Sequence, residues 1–181
     1  MKLEGADSSY ISPKTTSIES FGKHYLVRSL ANPRVRRHYT VASCMKQEVY
    51  QGYINAIESF KNGGRHGSIN DGIFVNNLND RSDEIVIAIK NYRIAGGFSN
   101  LIHSATKEDV FQVKTLLGKG LDLQRDGTHV AFVGGTGVLV FVDLIALLIK
   151  VNLGLVDKDS IPLFSKGSSF KFVLYATFSS T

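Results

Sequence analysis

The sequence predicts a mixed β and α/β protein, in which an antiparallel β-barrel is followed by a partial parallel α/β unit. Two observations lead to this prediction. Short runs of alternating apolar and polar residues recur from Tyr25 onward, and after Gly127 the pattern changes to strand, helix, strand. The predicted division is a loose lead-in at residues 1–20, a barrel-like domain at 21–124 and a partial α/β domain at 125–181.

The composition limits the class of protein. With 181 residues, 43% of them hydrophobic and 20% charged, the chain can bury a core in one domain or two small ones. Its net charge of +5 favours anionic partners such as a nucleotide, but no basic block is long enough to indicate nucleic acid. The single cysteine, Cys44, excludes an intramolecular disulfide and favours a reducing intracellular compartment, with cytoplasm and mitochondrion left open.

The predicted barrel consists of short strands separated by Asn, Pro, Gly and Asp clusters. We predict strands at Tyr25–Leu30, Arg37–Ala42, Val49–Ile57, Ile85–Lys90 and Asp109–Lys114. Residues 61–83 are rich in Asn, Asp and Gly and predict a long mobile connection. A short helix is predicted at Ser99–Ser104, after the turn that Gly96 and Gly97 form.

The α/β unit is predicted from a strand at Val130–Val133, a helix at about Leu139–Val151 and a strand at Phe170–Phe178. Such a unit implies a parallel pair of strands with a right-handed crossover. The loop Gly134–Gly137 lies between the first strand and the helix. Glycines let the backbone approach a pyrophosphate, and the positive end of the following helix attracts an anion. This loop is therefore a candidate site for a nucleotide phosphate.

The same region allows a second interpretation, because Val130–Ile149 is apolar and about as long as a membrane span. However, a carboxylate at Asp143 would be costly in lipid, and a strand and helix buried in a sheet are also apolar on all sides. We therefore expect no transmembrane span. The N-terminal residues also lack the apolar core of a secretory signal.

The sequence gives little support for a metal site or for hydrolytic catalysis. The five histidines are scattered and Cys44 has no cysteine partner, so no metal site is predicted. We expect Cys44 to be a small buried residue and Asp143 a polar group satisfied by its neighbours. No serine nucleophile elbow or pair of carboxylates is recognisable.

Four motifs follow one another along the chain: Arg37–Thr40, Gly96–Asn100, Gly118–Leu121 and Gly134–Gly137. Their order resembles the ferredoxin-NADP reductase superfamily, and in particular its cytochrome b5 reductase branch. The resemblance covers about residues 20–178 and includes the segment Phe21–Tyr25 before the first motif. It implies an NAD(P)H-dependent, FAD-containing reductase that passes electrons to a haem or another one-electron acceptor, such as cytochrome b5.

In that family an Arg-x-Tyr-Thr strand binds FAD, which implies a role for each matching residue. Arg37 would pair with the pyrophosphate through its planar guanidinium. Tyr39 would lie against the flavin or its ribityl chain, and Thr40, the implied catalytic residue, would place a hydroxyl near the flavin N5. Taken without the resemblance, Arg37 and Tyr39 belong to a solvated basic face of a strand.

The resemblance implies two further cofactor-binding segments. The glycine turn and short helix correspond to a clamp on the FAD pyrophosphate, although Ser99 and Asn100 are also suitable helix caps. Including the strand that borders the flavin, the implied FAD-binding residues are Ile89, Lys90, Tyr92, Gly96, Gly97, Phe98, Ser99 and Asn100. NADH or NADPH would bind at Gly134, Gly135, Thr136 and Gly137, with Thr136 directed at the pyrophosphate or nicotinamide.

The chain departs from the family pattern near its nucleotide loop. Thr115-Leu116 stands where the family usually has Gly-Pro, and Val140 stands where a proline usually follows the loop. Family members usually also have more barrel before the strand with Gly22, Lys23 and His24, and a longer nucleotide domain after the segment that corresponds to Phe170–Phe178. We therefore expect a fragment, or a shortened relative completed by a partner. The alternative function is a noncatalytic subunit of a larger complex that retains a degenerate reductase fold.

Overall fold

The computed structural model describes residues 2–3, 18–45, 51–52, 54–55, 57–58, 61–62, 85–164 and 167–178. Most of the predicted lead-in and connection lies outside these residues. The strands are β1 (Lys2–Leu3), β2 (His24–Ser29), β3 (Arg36–Thr40), β4 (Val110–Val113), β5 (Thr128–Gly134) and β6 (Lys171–Thr177). The α-helices whose first and last residues are both described are α1 (Phe98–His103) and α2 (Val142–Asn152). This arrangement confirms the mixed β and α/β class at a coarse level.

The first sheet has the strand order β1-β4-β2-β3. Strand β2 is central and pairs antiparallel with both β3 and β4, so that Tyr25 lies opposite Tyr39. Strand β1 adds a parallel edge to β4. Val27 of β2 and Phe111 of β4 form a buried cluster with Phe98 of α1. The sheet and α1 therefore share one core.

The second sheet is the parallel pair β5-β6, which confirms the predicted strand pairing. Its register runs from Thr128 opposite Lys171 to Gly134 opposite Thr177. Helix α2 packs into a core that includes Phe172 of β6, and Leu144 of this helix is fully buried there. Alternate residues of β5 are exposed, so one face of this sheet carries the packing and the other faces solvent.

Two strand predictions are wrong, and the predicted barrel depended on them. The residues that the structure describes between 51 and 61 are helical, and Gln51 Nε2 donates to Asn55 Oδ1, one helical turn on, at 3.0 Å. Apolar positions 50, 53, 54 and 57 fit a helical face as well as they fit alternation. The segment Ile85–Lys90 forms no ladder and pairs through one bridge, Ile87 with Val41. No closed barrel is present among the described residues.

The helix after the glycine loop also begins differently from the prediction. Gly135–Phe141 form a 3-10 helix, and the α-helix begins at Val142. Gly135 has a φ of +51°, a left-handed conformation that glycine adopts without steric cost. The combined segment Gly135–Asn152 has the length and apolar composition that a membrane crossing requires. A soluble core helix meets the same criteria, so this property does not decide between the two interpretations.

Candidate functional site

A cavity of about 350 Å³ brings together most of the predicted site residues. Its volume falls within the range of small-molecule sites, roughly 300–1,000 Å³. It is bounded by β3, the segment after Ile87, the start of α1 and the helical turn after the glycine loop. The lining residues are Arg37, His38, Tyr39, Thr40, Ala88, Ile89, Lys90, Tyr92, Ile94, Gly97, Phe98, Ser99, Thr136 and Leu139.

Strand β3 supplies half of the polar residues that line the cavity, namely Arg37, His38, Tyr39 and Thr40. Arg37 and Tyr39 project to the same side of β3 because they are two residues apart. The Tyr39 ring lies nearly parallel to the Phe98 ring, with centroids 6.1 Å apart. Burial raises the pKa of Tyr39, Arg37 counteracts that shift and Tyr92 adds to it, so the phenol remains a neutral hydrogen-bond donor. The exposed Arg37 side chain donates to the backbone oxygen of Arg36 at 2.9 Å.

The segment after Ile87 is held in place from two sides. His103, the last residue of α1, hydrogen-bonds through Nε2 to the backbone oxygen of Ile89 at 2.9 Å. Just before this segment, the Ala42 N–H donates to the backbone oxygen of Val86 at 3.1 Å. Lys90 adds a second positive charge to the cavity, and its ammonium lies 5.5 Å from the centre of the Tyr92 ring. This side of the cavity is therefore both cationic and aromatic.

The start of α1 favours glycine for a steric reason. The Gly97 N–H donates to the Ile94 oxygen at 2.9 Å, and a Cβ at Gly97 would lie 3.0 Å from that oxygen. No side chain caps α1, so its first turn has backbone N–H groups without intrahelical acceptors. Phe98 is 2% exposed and its ring belongs to the core, although the residue borders the cavity. Neither Gly96 nor Asn100 lines the cavity.

The glycine loop reaches the cavity through Thr136, whereas Gly134, Gly135 and Gly137 do not line it. Gly134 instead lies beside β6. A Cβ added to this residue would be 3.7 Å from the Thr177 hydroxyl oxygen. That hydroxyl donates to the Val133 oxygen at 3.4 Å. In this structure the loop thus serves strand pairing as well as the cavity.

The sequence prediction missed four lining residues: His38, Ala88, Ile94 and Leu139. His38 occupies the variable position of its motif, and its ring packs edge-on against that of His24 with centroids 4.7 Å apart. Leu139 follows Thr136 by three residues, about one helical turn. Helical spacing after the glycine loop could therefore have identified Leu139.

Asp143 is satisfied by hydrogen bonds, as the sequence predicted. Its Oδ2 accepts from the Ser43 N–H at 3.2 Å and its Oδ1 from the Cys44 N–H at 2.8 Å. Burial, followed by the charge of Asp143, raises the pKa of the Cys44 thiol, which keeps the thiol protonated. Within the described part of the chain, no group of three or more His, Cys, Asp or Glu residues is arranged to hold a metal ion.

The chain matches no protein-family model, no curated protein and no solved structure. The reductase resemblance therefore depends on the motifs themselves. The geometry adds that residues of three separate motifs line one cavity.

Proposed function

We propose that the chain is a flavoprotein reductase module, in which FAD accepts a hydride from NAD(P)H and electrons pass to a one-electron acceptor such as a haem protein. The supporting observation is that residues 37, 39, 40, 97–99 and 136, predicted from separate motifs, line the same cavity. The finer architecture, an FAD-binding barrel and a partial NAD(P)-binding domain in an intracellular reducing compartment, belongs to this proposal.

The lining of the cavity fits the chemistry of FAD. An exposed guanidinium at Arg37 can pair with a pyrophosphate, and the neutral Tyr39 phenol can donate a hydrogen bond. Ile89 and Leu139 offer apolar surface to a ring system. Gly97 keeps the start of α1 free of a side chain at a close turn.

The bound flavin would supply the two-electron chemistry of the reaction. The residues of the chain would bind and orient the reactants. Arg37 would hold the pyrophosphate, and Thr40 would present its hydroxyl beside the reacting part of the flavin. Thr136 would hold the nicotinamide nucleotide from the other side of the cavity. Such positioning lowers the barrier because the reactants no longer lose orientational freedom in the reaction step.

Reconstitution with FAD tests this proposal. The purified chain is incubated with FAD, separated from free cofactor and examined by absorbance. We expect a retained yellow flavin spectrum, which bleaches when NADH or NADPH is added without oxygen. A chain that is folded by circular dichroism and retains no flavin would contradict the proposal.

The exposed face of β5-β6 favours a second candidate function, a noncatalytic subunit of a larger complex. Val130, Phe132, Val173 and Tyr175 are exposed on this face, and Phe132 is 77% exposed. The Phe132 and Tyr175 rings stack with centroids 5.0 Å apart. Parallel sheets are usually covered on both faces, so a partner would suit this surface. Retained FAD that NADH and NADPH both fail to bleach would support the subunit over the reductase.

A further inference from the structure

Asp143 is a buried carboxylate that connects two distant parts of the chain. It is 9% exposed and lies in the first turn of α2. Its two oxygens accept the backbone N–H groups of Ser43 and Cys44, at 3.2 and 2.8 Å. Burying a charge is costly unless hydrogen bonds compensate, so this contact favours one placement of α2 against the 43–44 turn.

The turn that Asp143 binds is also the meeting point of the other cavity segments. Strand β3 ends at Thr40, three residues before Ser43. The Ala42 N–H donates to Val86, and Val41 bridges to Ile87, from which the chain continues into the cavity lining. Movement of this turn would therefore move two sides of the cavity.

On the other side of the contact, α2 continues the 3-10 helix Gly135–Phe141. That 3-10 helix contains both Thr136 and Leu139, which also line the cavity. A displacement of Asp143 would be transmitted along a continuous helical segment. The Asp143 carboxylate thus joins the helical segment that contains Thr136 and Leu139 to the turn that follows β3.

We propose that Asp143 is a positioning residue, whose carboxylate sets the spacing between the cavity wall containing Thr136 and Leu139 and the wall formed by β3 and the segment after Ile87. Its relevance to catalysis rests on the proposed reductase function, since hydride transfer needs both walls at a fixed separation. The geometric part of the proposal stands independently of any cofactor.

Spin-label distances test the geometry without FAD. Nitroxide labels on Tyr92→Cys and Leu139→Cys, in a Cys44→Ala background, report the distance across the cavity by pulsed electron paramagnetic resonance. We expect Asp143→Asn to broaden or shift the distribution of label distances, because the amide has only one acceptor oxygen for the two backbone N–H groups. Asp143→Ala has none and should shift the distribution further. Asp157→Asn is the matched control, since exposed Asp157 also accepts a backbone N–H, from Asp159 at 3.1 Å.

A distribution in Asp143→Asn identical to that of Asp157→Asn would overturn the proposal. If Asp143→Ala does not fold, the milder Asp143→Asn variant decides. A wild-type chain that binds no FAD would refute the proposed function, whereas the distance measurement would still decide the role of Asp143.

With FAD bound, a rate measurement separates positioning from a general loss of stability. We expect Asp143→Asn, with Cys44 retained, to lower the limiting rate of flavin reduction by NADH or NADPH about ten- to hundredfold, as misplacement of reactants does. Its Kd for FAD should rise by less than the limiting rate falls, because Tyr39 of β3 and Phe98 of α1 pack into the core around Val27 and Phe111. An unchanged limiting rate per bound flavin would contradict a positioning role.

Discussion

The antiparallel region, residues 18–45 and 85–113, and the parallel region, residues 128–177, differ in how completely they are packed. In the antiparallel region α1 and the sheet share a core around Val27 and Phe111. In the parallel region α2 packs into a core, while Phe132 and its neighbours remain exposed on the sheet. The polar groups of the cavity also come mostly from the antiparallel region. The difference suggests that ligand binding belongs to the antiparallel region, and that the parallel region completes the site.

The largest effect is expected on the free energy of unfolding, when substitutions in the packed core and on the exposed face of the parallel region are compared. Leu144 is fully buried against Phe21, so Leu144→Ala should destabilise the chain by about 2–5 kcal/mol in urea unfolding. Phe132→Ser removes an exposed ring that stacks on Tyr175, and it should lower the free energy of unfolding by no more than about 1.5 kcal/mol. A similar loss in both variants would mean that the exposed face is covered in solution.

The Cys44 thiol reports on the contact between the two regions. Because its pKa is raised by burial and by Asp143, the reactive thiolate is scarce at pH 8.5, where a free cysteine is about half ionised. The reaction with a thiol reagent should be at least about 100-fold slower than in the urea-unfolded chain, and it should accelerate as the pH rises. Equal rates in the folded and unfolded chains at pH 8.5 would contradict a close contact at Asp143.

A smaller effect separates binding from reduction. Thr136→Val should leave the Kd for FAD within about threefold and slow flavin reduction by NADH or NADPH about tenfold, the value of one hydrogen bond. Thr128→Val is the control, because Thr128 is an exposed threonine on β5 that does not line the cavity. If Thr136→Val instead abolishes FAD retention, the assignment of binding to the antiparallel region is wrong.

Local sequence patterns predicted the elements for which the spacing of apolar residues allowed one type of secondary structure. Alternation located β2, β3 and β4, and the strand-helix-strand order located the parallel pair β5-β6. At 51–61 the apolar spacing satisfied both a strand and a helix, and the residues that the structure describes in this range are helical. At Ile85–Lys90 the alternation was present, but strand pairing depends on neighbours that are remote in sequence.

The motifs could indicate residues that are close in sequence, whereas tertiary contacts lie outside what they show. Arg37, Tyr39 and Thr40, predicted from one motif, all line the cavity. The Phe98 ring could serve a core or a ligand, and its packing with Phe111 places it in the core. The contact of Asp143 with Cys44 joins residues 99 positions apart, which no local pattern indicates.

The central claim is that the antiparallel region binds FAD through the cavity beside β3. Titration of FAD into the wild-type chain, Arg37→Ala and Arg36→Ala, followed by quenching of flavin fluorescence, tests it most directly. Both arginines are exposed on β3, but only Arg37 lines the cavity. We predict that Arg37→Ala raises the Kd about 10- to 100-fold, the loss of a charge-assisted hydrogen bond, and Arg36→Ala less than about threefold. Equal effects of the two substitutions, or no saturable binding of FAD to the wild-type chain, would contradict the claim.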